Sequence, residues 1–181
     1  MTIENADRLL CAAIEGQVPA WPGPGEAGEC RRFIERLDYH GMAPLLDRAL
    51  ADSVNRDSWP PAIREHCHQS VRAQALAEMA HRRELSRVLD AFDGAGIKPL
   101  LLKGTPIAYT HYESPVLRQR GDTDLLVPLS AKVEAEAVLS GLGFVRYPGV
   151  TGEFISYQSL WTRTDDLGVT HLDMRKTKQI V

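Results

Sequence analysis

Residues 100–127, LLLKGTPIAYTHYESPVLRQRGDTDLLV, decide how the chain folds and where its chemistry lies. An apolar run, Leu100-Leu101-Leu102, meets Lys103-Gly104-Thr105, and a short helical segment follows. A loop with Pro115, Arg118 and Arg120 leads to a strand that opens Asp122-Thr123-Asp124. A buried strand that feeds a glycine turn at a helix start leaves backbone N–H groups free to meet an anion. Pro106 fits the first helical turn, where it has no N–H to lose. Residues i and i+2 of a strand share a face. Asp122 and Asp124 are therefore expected to project together, a donor set that suits hard divalent cations. A phosphate cradle beside such a pair is a phosphoryl-transfer constellation.

Simpler readings stand beside each part. Asp122 and Asp124 can pair with Arg118 and Arg120. Gly104-Thr105 can be a plain strand-to-helix turn, and Lys103 either a phosphate contact or a structural lysine at a strand end. Acids beside the apolar run Leu125-Leu126-Val127 are costly without a cation or an arginine, so a partner is expected for them.

The region before this stretch reads as helical. Thr2–Glu15 carries an apolar stripe of Leu9, Leu10, Ala13 and Ile14, with Thr2 or Asn5 as cap. Gly16–Gly28 is rich in proline and glycine and reads as a loop. Glu29–His40 is a second helix with Phe33, Ile34 and Leu37 inward, ended by Gly41. Pro44–Leu50 is a short third helix. A long helix runs from Pro61 to about Ala95, with stripes at Val71, Ala75, Leu76, Met79 and at Leu85, Val88, Leu89, Phe92. It delivers the chain to a strand at Ile97–Leu102. Beyond Val127, Ser130 is a candidate cap for a helix over Ala131–Leu142, with Val133, Ala137 and Val138 inward. Strands are expected at Phe144–Tyr147, Glu153–Thr162 and Val169–Met174, the last two joined by a turn at Thr164–Gly168. His171 and Asp173 then share a face.

The expected fold is α+β, a mixed sheet flanked by helices, with a helical region over residues 1–94 and an α/β core over residues 95–181. The chain stops just after a strand, which is compatible with a fragment of something longer. A net charge of −3 gives no global pull toward nucleic acid, although a local patch remains open. Cys11, Cys30 and Cys67 form no paired spacing and are expected as reduced thiols of a cytoplasmic protein. The N-terminus reads as no signal peptide, and no apolar run approaches a membrane span.

The order of the motifs carries more than any one of them. Gly-Thr at a helix start, Asp-x-Asp on the next strand and a lone Asp later resemble the nucleotidyltransferase fold of the DNA polymerase beta superfamily. The longer string Leu101-Leu102-Lys103-Gly104, Tyr112-x-x-Pro115, Arg118, Asp122-x-Asp124-Leu125-Leu126-Val127 is similar to a bacterial family of uncharacterised nucleotidyltransferases. The resemblance implies that Gly104 and Thr105 hold phosphates, with Arg118 or Arg120 offsetting triphosphate charge, and Lys103 beside them is a candidate nucleotide contact. It implies Asp122, Asp124 and Asp173 as catalytic ligands of Mg²⁺ or Mn²⁺. Arg175-Lys176 stand where that family often has His-Trp. The implied activity moves an NMP from an NTP such as ATP to a hydroxyl acceptor (small molecule, RNA or protein). In that reaction the acceptor attacks the alpha-phosphorus in line and pyrophosphate leaves. The alternative is a catalytically idle relative that serves as a nucleotide- or protein-binding module of a toxin–antitoxin or biosynthetic operon. Acceptor, base preference and oligomeric state have no signature in the sequence.

Overall fold

The computed structural model describes residues 2–148, 158–165 and 168–176. Its helices are α1 (Ile3–Ile14), α2 (Ala27–His40), α3 (Ala43–Ala51), α4 (Pro61–Gly94), α5 (Gly104–Thr110) and α6 (Lys132–Gly141). Its strands are β1 (Leu100–Leu102), β2 (Thr123–Val127), β3 (Val145–Arg146), β4 (Gln158–Asp165) and β5 (Gly168–Lys176). The five strands form one mixed sheet in the order β1-β2-β5-β4-β3, with β2 and β5 parallel and the other pairs antiparallel. This is the expected α+β architecture of nucleotidyltransferase type.

The chain divides into two compact units, Met1–Ala77 with Tyr112–Gln119, and Glu78–His111 with Arg120–Val181. The first is helical. The Thr2 hydroxyl accepts the Asn5 N–H at 3.3 Å and caps α1. Gly41 ends α2 with φ of 63°, a conformation that glycine takes without a Cβ penalty. The core of this unit gathers Leu10, Phe33, Leu37, Leu46, Trp59 and Ile63. Trp21, Phe33 and Trp59 meet edge to face at 5.2–5.5 Å between centroids. Ile14, expected inward, is exposed, and Ala6 takes its place on the buried stripe.

The second unit is a one-sided sheet. Because paired residues share a face, Leu125, Val127, Leu172, Met174 and Trp161 lie together. They form a core with Val88 and Phe92 of α4 and Ala135 and Leu139 of α6. Burying each large apolar side chain there contributes about 2 kcal/mol.

Several local expectations shift. Leu76 and Met79 of α4 are 70% and 71% exposed, so the stripe expected at mid-helix is not a core face, whereas Ile63 and Cys67 before it and Val88 and Phe92 after it are buried. On α6 the i,i+4 pair Ala135 and Leu139 faces inward, and Val133 and Ala137, expected there, are exposed. Ser130 sits within a 3-10 turn, Leu129–Ala131, and Ala131 occupies the cap position of α6 without a side-chain bond. The first strand is shorter than expected, since only Leu100–Leu102 finds ladder partners on β2. Residues 153–157 of the expected Glu153–Thr162 strand, and the tip of the 164–168 turn, lie outside the described residues.

Candidate functional site

The opposite face of the same sheet is polar where β2 and β5 run side by side. Thr123↔Leu172 and Leu125↔Met174 point to the core, so Asp124↔Asp173 must point away from it. Parallel register thus sets two aspartates directly beside each other. Asp124 is 2% exposed and Asp173 5% exposed, burial that requires compensation.

Two cations provide it. Lys103 Nζ lies 2.5 Å from Asp124 Oδ1. Arg175, two residues beyond Asp173 and on the same face, spans both acids. Its Nε is 3.3 Å from Asp124 Oδ1, and its terminal nitrogen is 3.3 Å from Asp173 Oδ2. Asp124 Oδ1 is held by charge, without the alignment of a hydrogen bond from either cation. Gln158 of β4 donates its amide N–H to Asp173 Oδ2 at 2.5 Å. Asp173 Oδ1 is buried and accepts no hydrogen bond among the described residues. Burial raises the Asp173 carboxyl above the usual carboxylate range, and the Asp124 charge adds to this, while Arg175 opposes it.

Lys103 owes its position to the backbone. Leu102, just before it, pairs with Asp124 across β1 and β2. Lys103 then turns the chain into α5 with φ of 56° and ψ of −121°, the one positive φ outside glycine among the described residues. A lysine there carries about 1–3 kcal/mol of strain. Such strain persists only where the surroundings impose it.

The remaining expected residues take separate places. Asp122 is exposed and precedes β2, so it stands outside the ladder that holds Asp124. Gly104 opens α5 beside Lys103. Thr105 is buried, its hydroxyl 3.4 Å from that of Thr123, which in turn lies 3.2 Å from His81 Nε2. Burial, reinforced by the charge of Arg120, holds the His81 imidazole below its ordinary range, and Glu78 opposes this. The Arg120 side chain is buried, ion-paired to Glu78 and set over the Tyr109 ring at 5.2 Å. Arg118 belongs to the helical unit and lies over the Tyr112 ring at 5.8 Å. Among the described residues no three His, Cys, Asp or Glu side chains gather as a metal cage. His171, on the face of Asp173, is exposed.

The donor set nevertheless fits a hard divalent cation. Mg²⁺ is commonly held by one or two carboxylates, with waters and substrate phosphates completing its shell. Two adjacent aspartates with one buried, unpaired oxygen offer such a start. The sequence reading did not assign Arg175 or Gln158 to the site. The i,i+2 spacing of Asp173 and Arg175 was the available signal.

The family described as uncharacterised nucleotidyltransferase matches residues 26–178. The chain belongs to this family. The match takes in both aspartates, Lys103 and Arg175, so the polar sheet face lies within the nucleotidyltransferase region. No curated protein and no solved structure gives a significant match. No helix among the described residues is long and apolar enough to cross a membrane.

Proposed function

We propose that this nucleotidyltransferase moves an NMP from an NTP to a hydroxyl acceptor, with Asp124 and Asp173 holding Mg²⁺ or Mn²⁺. The observation that carries this reading is the in-register Asp124–Asp173 pair with its unpaired buried oxygen. The metal would supply Lewis-acid polarisation of the phosphoryl oxygens and charge neutralisation. Asp124 and Asp173 would orient it. Lys103, at the exposed turn before α5, would meet the triphosphate as a point charge, and Arg175 as a planar fork. Asp173, as base, would take the proton of the attacking acceptor hydroxyl at its Oδ1. Asp122, exposed at the entrance to β2, and the Gly104-Thr105 turn would take outer contacts. Membership of the DNA polymerase beta-like superfamily, bacterial origin and a preference for ATP belong to this proposal as well.

The idle-module alternative draws on one observation, that Lys103 and Arg175 already neutralise both acids. Thermal unfolding with Mg²⁺ and each of the four NTPs separates the two. A ligand that binds only the folded chain raises the melting temperature by mass action. A metal-dependent rise with an NTP that disappears in Asp124→Asn is expected. A rise that needs no metal and survives Asp124→Asn supports the idle module. No rise with any NTP at millimolar concentration removes the donor site.

A further inference from the structure

The aspartate pair is already balanced. Two carboxylates, Asp124 and Asp173, face two cations, Lys103 and Arg175, within 3.3 Å. A metal approaching Asp124 Oδ1 meets an ammonium at 2.5 Å and a guanidinium at 3.3 Å from the same oxygen. Like charges at a ligating atom weaken its hold on a cation.

Neither cation is locked away. The Lys103 side chain is 51% exposed and that of Arg175 34%. Both can turn outward without unpacking a core, and both recognise phosphate as readily as carboxylate.

We propose that Lys103 and Arg175 are resident counter-cations that close the Asp124–Asp173 pair to a lone divalent metal and transfer to the triphosphate when metal and nucleotide arrive together. The inference rests on reading the carboxylate pair as the metal site. It gives the two cations a role in the order of binding. Metal alone competes with them. A triphosphate draws them off the carboxylates and leaves those oxygens for the metal, whose shell the phosphates then complete. The strained backbone at Lys103 roots the ammonium beside Asp124, since Leu102 is paired with that residue.

The test is calorimetric titration of the full chain with Mn²⁺ alone, and separately with inorganic tripolyphosphate without metal. The chains compared are wild type, Lys103→Gln, Arg175→Gln and Asp124→Asn. Lys103→Gln keeps an amide donor on a side chain one atom shorter but loses the charge. It should bind Mn²⁺ about tenfold more tightly than wild type and tripolyphosphate about tenfold more weakly. Arg175→Gln should shift both in the same directions. Should Lys103→Gln fail to give a native circular dichroism spectrum, Lys103→Met and Arg175→Gln carry the same comparison. Mn²⁺ binding that depends on Asp124 but is unchanged or weaker in the charge-removing variants overturns the counter-cation role and leaves the metal site standing. Mn²⁺ binding that ignores Asp124→Asn, or is absent from every chain, overturns both.

Discussion

The two faces of β2 and β5 are built from alternate residues of the same strands and do opposite work. One presents Leu125, Val127, Leu172 and Met174 to α4 and α6 and is sealed. The other presents Asp124, Asp173 and Arg175, held together by charge. One residue of parity separates the part that stabilises the sheet from the part to which the proposed function assigns the chemistry. A substitution should therefore cost stability or activity according to its face, with little crossover.

The largest effect is expected on the charged face. Asp124→Asn or Asp173→Asn should lower nucleotidyl transfer about a thousandfold, near 4 kcal/mol of transition-state stabilisation. The melting temperature should hardly fall, because Lys103 and Arg175 are left near the surface rather than buried. Radiolabelled-NTP turnover and calorimetry on the same samples check this, and a large loss of stability with activity retained would reverse the assignment of faces.

On the sealed face, Leu125→Ala should cost about 3 kcal/mol of stability by urea unfolding, from lost transfer energy plus a cavity. Turnover by the molecules that remain folded should stay within a few-fold of wild type. A loss of turnover as large as that of Asp124→Asn would mean the faces are coupled.

The sealed face has a polar exception, where Thr123 meets His81. His81 titrates below its ordinary range because burial disfavours its charged form, with Arg120 adding to this and Glu78 opposing it. The unfolded chain then binds the proton first as pH falls. Stability present above the unfolded histidine pKa is lost as pH drops toward the folded one, by at most about 1.4 kcal/mol per pH unit. His81→Gln should flatten that slope as pH falls below about 6.5. An unchanged slope would assign the effect elsewhere.

The smallest effect concerns the strained turn. Lys103→Gly should be about 1 kcal/mol more stable than Lys103→Ala, since both lose the ammonium and only glycine relaxes a φ of 56°. Equal stabilities would show that the backbone, not the side chain, sets that conformation without cost.

Much of this was legible in the sequence. The spacing of Leu85, Val88 and Phe92 marks the buried face of α4, and Gly41 marks the end of α2. These are local signals, because helical periodicity and the αL preference of glycine act within a few residues. The same logic fails at Leu76 and Met79, where a regular apolar stripe is exposed. Periodicity shows which residues share a face, but not whether anything covers it.

At the site, sequence alone determined that Lys103, Gly104, Asp122 and Asp124 stand close along the chain, and that Asp173 is carried by a later strand. Alternation also gave Asp122 and Asp124 a common side, provided both lie in a strand. The tertiary structure decided that β2 begins at Thr123, which leaves Asp122 before the ladder. It also turned the Thr105 hydroxyl toward Thr123 and gave Arg120 to Glu78. Above all it placed Arg175 between the two aspartates. That contact depends on the parallel register of β2 and β5, strands far apart in sequence. A register is chosen by the apolar face that it buries, so the charged face follows from packing on the other side of the sheet.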